Sequence, residues 1–169
     1  MKKRWKIAGL AALLALICWA AWYGRPVSVL DLNPELEPVG ISLFIERFGD
    51  TVQGNAHRDL NVDATAPEGQ ALLEQLEAIR IRRSPLNPLR KVLPSTGTGR
   101  QTQDGQYHYV IHVFGTDGWV ALQFLIDEWS YDLPEQPQYL PCRVFDGEAI
   151  GQALGDKLWE MAQEIESNP

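Results

Sequence analysis

The run of residues 107–133, YHYVIHVFGTDGWVALQFLIDEWSYDL, constrains the fold more than any other part of the sequence. Two stretches rich in β-branched and aromatic residues flank the segment Gly115-Thr116-Asp117-Gly118, a pattern that is typical of a β-hairpin. After Asp127 and Glu128 the pattern continues into a short third strand, and a fourth strand is predicted over residues 139–145. The centre of the fold is therefore predicted to be an antiparallel sheet.

Two amphipathic helices are predicted to cover this sheet. The first begins near Thr65, which stands three residues before Glu68 as in a capping box, and it gives way to a strand near residue 80. The second is predicted to be capped by Asp146 and to carry one apolar stripe, made of Ile150, Leu154, Leu158, Met161 and Ile165. We therefore predict an α+β fold, a two-layer domain of a mainly antiparallel sheet with two helices, preceded by a single transmembrane helix. The predicted order within the domain is ββ-α-β-ββββ-α.

Three glycines recur every four residues on the last predicted helix, at Gly147, Gly151 and Gly155. An interior helical glycine costs about 1 kcal/mol relative to alanine, so this row indicates that another element approaches the helix closely. We expect that element to be the sheet, with Trp159 covering the adjoining surface.

The N-terminal segment reads as a membrane anchor. Residues 7–23 are uncharged and almost wholly apolar, which gives about 25 Å of helix against a hydrocarbon thickness of roughly 30 Å. Aromatic residues stand at both ends, and basic residues precede the run, so the rest of the chain is expected to face outward. Cleavage near Ala20, which would release a secreted protein, remains the alternative. The predicted divisions are an anchor with its basic stub (1–24), a proline-containing spacer (25–38) and an extracytoplasmic α+β domain (39–169).

The part of the chain after the anchor is strongly acidic. Residues 25–169 contain 11 basic and 22 acidic side chains, a formal charge of −11, which disfavours nucleic acid as a partner. The exception is a basic cluster that could contact an anionic surface group or lipid headgroups: Arg80, Arg82, Arg83, Arg90 and Lys91. The alternative is that these side chains pair with carboxylates of the domain itself.

No catalytic residue, cofactor site or metal site is predicted. His108 and His112 lie on a predicted strand, where four residues span roughly 13 Å, too far for two ligands of one metal ion. Gly97-Thr98-Gly99 lacks the strand and helix that a phosphate loop needs. Lone Cys142 is expected to be a buried, inert thiol beside Leu140 and Val144. A small hydrolase that uses two carboxylates remains the alternative function, with candidates Asp127, Asp132, Glu135 and Glu148.

Aromatic residues offer a possible binding platform. Trp129 and Tyr131 share one face of a predicted strand, and Trp119 lies on the neighbouring strand. If that face is open, the three rings could stack against a sugar or a peptide; on a helix-covered face they belong to the core.

The segments LLEQLEAIRIRRS, YHYVIHVFGTDGWVALQFLIDEWSYDL and YLPCRVFDGEAIGQAL, roughly residues 70–158, resemble the small uncharacterised extracytoplasmic domains that Gram-positive bacteria carry behind an N-terminal anchor. This resemblance implies the fold and a location outside the membrane, and it implies no activity. The leading hypothesis is a membrane-anchored, non-enzymatic module that binds, senses or supports a partner at the cell surface, with the lipid bilayer contacted through residues 7–23.

Overall fold

The computed structural model describes residues 2–49, 55–85, 87, 103–134 and 139–167. Within these ranges the chain forms three α-helices: α1 (Lys2–Tyr23), α2 (Pro67–Ala78) and α3 (Gly147–Ser167). It also forms eight strands: β1 (Pro26–Ser28), β2 (Pro38–Arg47), β3 (Ala56–Asp63), β4 (Arg80–Arg83), β5 (Tyr107–Gly115), β6 (Gly118–Leu125), β7 (Glu128–Asp132) and β8 (Leu140–Val144). The α+β class is therefore confirmed.

All eight strands belong to one antiparallel sheet, in the order β1-β4-β8-β7-β6-β5-β2-β3. The predicted hairpin is confirmed, because Gly115 pairs with Gly118 and the register continues outward to His108 and Leu125. Strands β5 to β8 form the consecutive meander that the alternation of the sequence predicts. Strands β1 and β3 are the two edges of the sheet.

The segment 25–38, which we expected to be a spacer, supplies part of the domain. Pro26–Ser28 is edge strand β1 and pairs with β4, and a short 3-10 turn follows at Leu30–Leu32. Val27 and Val29 are buried in the core. Proline is compatible with this placement because Pro26 is the first residue of an edge strand, where a missing backbone donor costs little.

Helices α2 and α3 cover one face of the sheet, which we call the inner face. The alternate strand residues that point toward these helices form a single apolar cluster with them, including Ile41, Leu43, Ile45, Tyr109, Ile111, Leu122, Phe124, Trp129, Tyr131, Leu72, Leu76, Leu154 and Leu158. The largest of these side chains are almost fully buried. Burial of this continuous apolar surface is the main term that stabilises the domain.

The glycine row of α3 packs directly on the sheet, as predicted. A Cβ atom at Gly151 would overlap the ring of Phe124, and one at Gly155 would overlap the ring of Tyr107. A Cβ atom at Gly147 would come within 3.0 Å of the indole nitrogen of Trp129, a tight contact short of overlap. Trp159 continues the row and is buried, with the guanidinium carbon of Arg58 4.8 Å from its ring.

Two details of the helices differ from the predictions. Helix α2 has Ala66 as its N-cap residue with no side-chain cap, because the hydroxyl of Thr65 instead donates a hydrogen bond of 2.6 Å to the carboxylate of Asp63. On α3 the buried row includes Leu154, Leu158 and Ala162, whereas Ile150 is 37% exposed. The small residues turn the helix so that its glycines, rather than Ile150, face the sheet.

Helix α1 contacts the domain through its C-terminal end. The ring of Tyr23 lies 4.5 Å from the guanidinium carbon of Arg83, and its hydroxyl lies near that of Tyr131. Among the helices of the described residues, none combines the length and the apolarity that a membrane crossing requires.

Candidate binding face

The face of the sheet opposite α2 and α3, which we call the outer face, carries a mixed set of polar and aromatic side chains. Its central members come from four neighbouring strands: Phe44, Glu46, His108, Val110, His112, Phe114, Trp119, Gln123, Ser130 and Asp132. Most of them are half-buried, and Phe114 is 42% exposed. His108 and His112 therefore lie on the same face as Val110 and Phe114.

A chain of hydrogen bonds crosses this face over three strands. The hydroxyl of Ser130 donates to the amide oxygen of Gln123 at 3.1 Å, and the amide nitrogen of Gln123 lies 3.0 Å from Nε2 of His108. On the other side of the ring, Nδ1 of His108 lies 3.6 Å from the carboxylate of Glu46. Because the Gln123 amide donates to Nε2, the neutral ring carries its proton on Nδ1, facing Glu46.

This chain contains a serine, a histidine and a glutamate, yet its geometry does not activate a nucleophile. A serine nucleophile needs a direct hydrogen bond to the histidine that takes its proton. Here Gln123 separates the Ser130 hydroxyl from the imidazole of His108. The arrangement instead presents partly exposed donors and acceptors at fixed positions, which suits binding.

A second cluster lies at the end of the outer face where the β5–β6 hairpin turns. The imidazole of His112 stacks on the indole of Trp119, with 5.5 Å between the ring centroids, and its Nε2 lies 3.3 Å from the hydroxyl of Tyr139. Burial lowers the pKa of His112, an effect that the nearby Asp132 carboxylate partly offsets. Burial also raises the pKa of Asp132 and that of Tyr139. The cluster therefore favours a neutral imidazole beside an aromatic surface.

The sequence did not single out Gln123, Ser130, Glu46 or Tyr139 for this face. Alternation along each strand places them there once the strand boundaries are known, because successive side chains point to opposite faces. The pairings Val110 with Gln123 and Gln123 with Ser130 then bring three strands into one row. Alternation within one strand predicts the face on which a side chain lies. The alignment of one strand with the next depends on pairing between segments and cannot be read from alternation.

The predicted aromatic platform does not form. Trp129 and Tyr131 point to the inner face and are buried, whereas Trp119 lies on the outer face. The register of the two strands explains this result. Phe124 of β6 pairs with Trp129 of β7, so these two side chains point to the same face. Successive side chains of β6 alternate between the faces, and this places Trp119 on the opposite face from Phe124. Trp129 and Tyr131 are thus core residues, and Trp119 packs with His112.

The carboxylates proposed for hydrolysis are not gathered into one cleft. Asp127 and Asp132 lie at opposite ends of β7, about 13 Å or more apart at the usual rise of a strand. Glu148 lines an open depression of about 660 Å³ together with Asp104 and Asp146, and Asp132 does not belong to that lining. Glu135 lies outside the described residues. Asp132, whose pKa burial raises, is therefore separated from Asp127 and lies outside the depression that Glu148 lines.

The predicted basic cluster is divided by the structure. Arg80 lies 3.7 Å from the carboxylate of Asp31 in an exposed ion pair, so the expectation of internal pairing is met at this residue. Arg82 is exposed on the outer side of β4, and Arg83 contacts α1. Arg90 and Lys91 lie outside the described residues, as does the segment Gly97-Thr98-Gly99.

Two further predictions concern reactive groups. Cys142 packs against the core beside Leu140 and Val144, and burial raises the pKa of its thiol to about 12, as expected of an inert cysteine. His108 and His112 stand four residues apart on strand β5. The described part of the chain contains no group of three or more metal-ligating side chains.

No protein-family model, curated protein or solved structure matches this chain.

Proposed function

We propose that this protein is a membrane-anchored, non-enzymatic module that binds a partner at the extracytoplasmic surface through its outer face. Helix α1 is the anchor, and the α+β domain presents its outer face outside the membrane. The resemblance to anchored extracytoplasmic domains implies the same location.

The observation that carries the anchor is the exposure of α1. Its large apolar side chains are 43% to 62% exposed, and they are Ile7, Leu10, Leu13, Leu14, Leu16, Ile17, Trp19 and Trp22. At 100° per residue these positions surround the whole helix, so no single face could pack on the domain and leave the rest polar. A helix that is apolar all round needs an apolar environment, and lipid provides one.

The sequence around α1 supports the same proposal, although no helix in the part of the chain that the structure describes is long and apolar enough to cross a membrane. The uncharged run of residues 7–23 is a few ångströms shorter than a typical hydrocarbon core, a mismatch that local thinning of the bilayer accommodates. Trp19 stacks on Tyr23, with 5.4 Å between the ring centroids, so a pair of aromatic rings stands at the end nearer the domain. Basic residues precede the run, which favours an outward-facing domain.

Cell fractionation tests the anchor. We expect the full chain to remain in the membrane fraction after carbonate washing, and we expect protease added to intact cells or spheroplasts to degrade the domain. Recovery from the culture medium of a protein trimmed just after residue 20 would establish the secreted alternative. A domain that is protected from protease in intact spheroplasts would place it in the cytoplasm and refute the proposal.

The outer face is the surface we assign to partner binding. It combines the Ser130–Gln123–His108 hydrogen bonds with the His112–Trp119 stack, so it offers both directional polar groups and aromatic area. Aromatic residues together with a few fixed polar groups are typical of binding surfaces. The remaining sheet face is occupied by α2 and α3, which leaves the outer face as the larger accessible surface of the sheet.

Site-specific photocrosslinking tests this assignment in intact membranes. A photoreactive phenylalanine at position 114 replaces an exposed outer-face ring, and the same residue at position 157 replaces an exposed lysine on α3. We expect a discrete adduct from position 114 and none from position 157. Equal labelling at both positions, or no adduct at position 114, would contradict a partner-binding role for the outer face.

A further inference from the structure

The C-terminal end of α1 is surrounded by arginine side chains. The guanidinium carbon of Arg83 lies 4.5 Å from the ring of Tyr23, and that of Arg25 lies 5.3 Å from the ring of Trp22. Both aromatic residues belong to the last turn of the helix. Two cations are thus held at the point where the apolar helix meets the domain.

The sheet places two more arginines beside this point. Pro26, which directly follows Arg25, pairs with Arg82 of β4, and Arg82 in turn pairs with Arg143 of β8. Since neighbouring strands lie about 4.8 Å apart, Arg143 stands roughly 10 Å from the chain as it leaves α1. We call Arg25, Arg82, Arg83 and Arg143 the arginine collar.

The pairing of Arg82 with Arg143 is unfavourable unless an anion lies nearby. Like charges on directly paired strand positions repel each other, and both side chains are exposed on the same side of the sheet. Within the described residues neither arginine forms an ion pair, whereas Arg80, two positions further from α1, pairs with Asp31. A domain with a formal charge of −11 has carboxylates in excess, yet among the described residues none of them pairs with Arg82 or Arg143.

An exposed aromatic ring adjoins the collar. Phe145 is 85% exposed, the highest value among the large apolar side chains of the described residues, and it stands two positions after Arg143. By the register of β4 and β8, however, Phe145 stands level with Arg80 and so lies further from α1 than Arg82 and Arg143. The headgroup contact is therefore assigned to the arginines alone.

We propose that the arginine collar binds the headgroups of anionic phospholipids and holds the β1 edge of the domain against the bilayer. This inference rests on the proposed anchoring by α1, which brings the collar to the membrane surface. Guanidinium groups bind phosphate through two parallel hydrogen bonds, so a phosphate oxyanion supplies the counter-charge that Arg82 and Arg143 lack. The acidic remainder of the domain is repelled by the same surface, which reinforces the orientation.

Lipid selectivity in reconstituted vesicles tests the proposal with the full chain. Spin-labelled phosphatidylglycerol and spin-labelled phosphatidylcholine serve as probes, and the measured quantity is their relative association with the protein. We expect wild-type protein to prefer phosphatidylglycerol, and we expect Arg82→Gln/Arg143→Gln to lower that preference by at least about fivefold, the effect of one lost charge near an anionic surface. Salt at about 1 M, which shortens the screening length to about 3 Å, should abolish the preference.

Controls separate the possible outcomes. Lys157→Gln removes one exposed positive charge from α3 and should leave the preference unchanged. A preference that survives the double substitution, or that Lys157→Gln lowers equally, would overturn the proposal. Loss of the preference in inorganic phosphate, at an ionic strength at which chloride leaves it intact, would do the same, because it indicates a site for the free anion. Failure of wild-type protein to float with pure phosphatidylcholine vesicles would instead refute the anchor itself.

Discussion

The indole nitrogen of Trp129 donates a hydrogen bond of 2.8 Å to the backbone carbonyl oxygen of Gly147. This bond joins the middle of the sheet to the first turn of α3, at the start of the glycine row. Trp129 also packs on Phe124, with 4.9 Å between the ring centroids. The helix is therefore held against the sheet by aromatic rings that occupy the space a Cβ atom would need.

Substitution of Gly151 by alanine should destabilise the domain. The added Cβ would overlap the ring of Phe124, which is fixed between Tyr109 and Trp129. Overpacking of this kind costs about 1–3 kcal/mol and opposes a gain of about 1 kcal/mol in helix propensity. We expect a net loss of up to about 2 kcal/mol in the free energy of unfolding, measured by chemical denaturation in detergent. Gly9→Ala, where nothing lies within 4 Å, is the control and should be neutral.

The stability of the domain should decrease in mildly acidic solution because of His112. Burial lowers the pKa of His112 below its usual value of 6.5, so the unfolded state binds the proton more readily than the folded state. The neutral His112 ring therefore contributes fully to the stability of the domain above its usual pKa, and this contribution is lost as the pH falls toward the pKa of His112 in the folded protein. Burial raises the pKa of Asp132, so protonation of this carboxyl at lower pH favours the folded state and opposes the effect of His112.

The free energy of unfolding should therefore fall between about pH 7.5 and about pH 5.5, and His112→Gln should flatten the dependence. Unfolding curves of both proteins at several pH values provide the measurement. An identical slope in the variant would show that other groups cause the pH dependence.

The thiol of Cys142 should react slowly in the folded protein. Burial raises its pKa from 9.0 to about 12, which reduces the thiolate fraction near pH 8 by about 10³. We expect alkylation by iodoacetamide, measured in a Cys18→Ala background, to be slower by about this factor than in denaturant. Comparable rates in the folded and denatured protein would contradict the burial of this side chain.

A charge in the middle of α1 should release the chain from the membrane. Leu14 lies near the centre of the uncharged run, and an arginine at such a position costs about 3 kcal/mol on insertion. We expect Leu14→Arg to move most of the protein out of the carbonate-resistant membrane fraction, and Leu14→Ile to leave it there. Equal retention of both variants would argue against insertion of α1.

The junction between α1 and the domain should depend on Tyr23. Its ring contacts the guanidinium of Arg83, and its hydroxyl lies near that of Tyr131. Tyr23→Ser removes both contacts, whereas Tyr23→Phe keeps the ring. We expect the distance distribution between spin labels on α1 and on α3 to broaden in Tyr23→Ser and to remain narrow in Tyr23→Phe. Unchanged distributions in both variants would mean that other contacts fix the junction.

Much of the fold could be predicted because its signals are local. Alternation and turn residues predicted the β5–β6 hairpin. The recurrence of glycine every four residues predicted the close contact of α3 with the sheet. The packing of the partly buried Cys142 against the core followed from alternation within β8 alone. In each case, residues close in sequence carry the whole signal, because side-chain direction repeats with a period fixed by the backbone.

Tertiary structure decided what depends on pairing between distant segments. The register between β6 and β7 placed Trp129 in the core and Trp119 on the outer face, which separated the predicted aromatic platform. Pairing with β4 turned Pro26–Ser28 from a spacer into an edge strand, and pairing with β8 set Arg82 beside Arg143. A shift of one residue reverses the face of every side chain in a strand, and the partner strand that prevents this shift lies far away in the sequence.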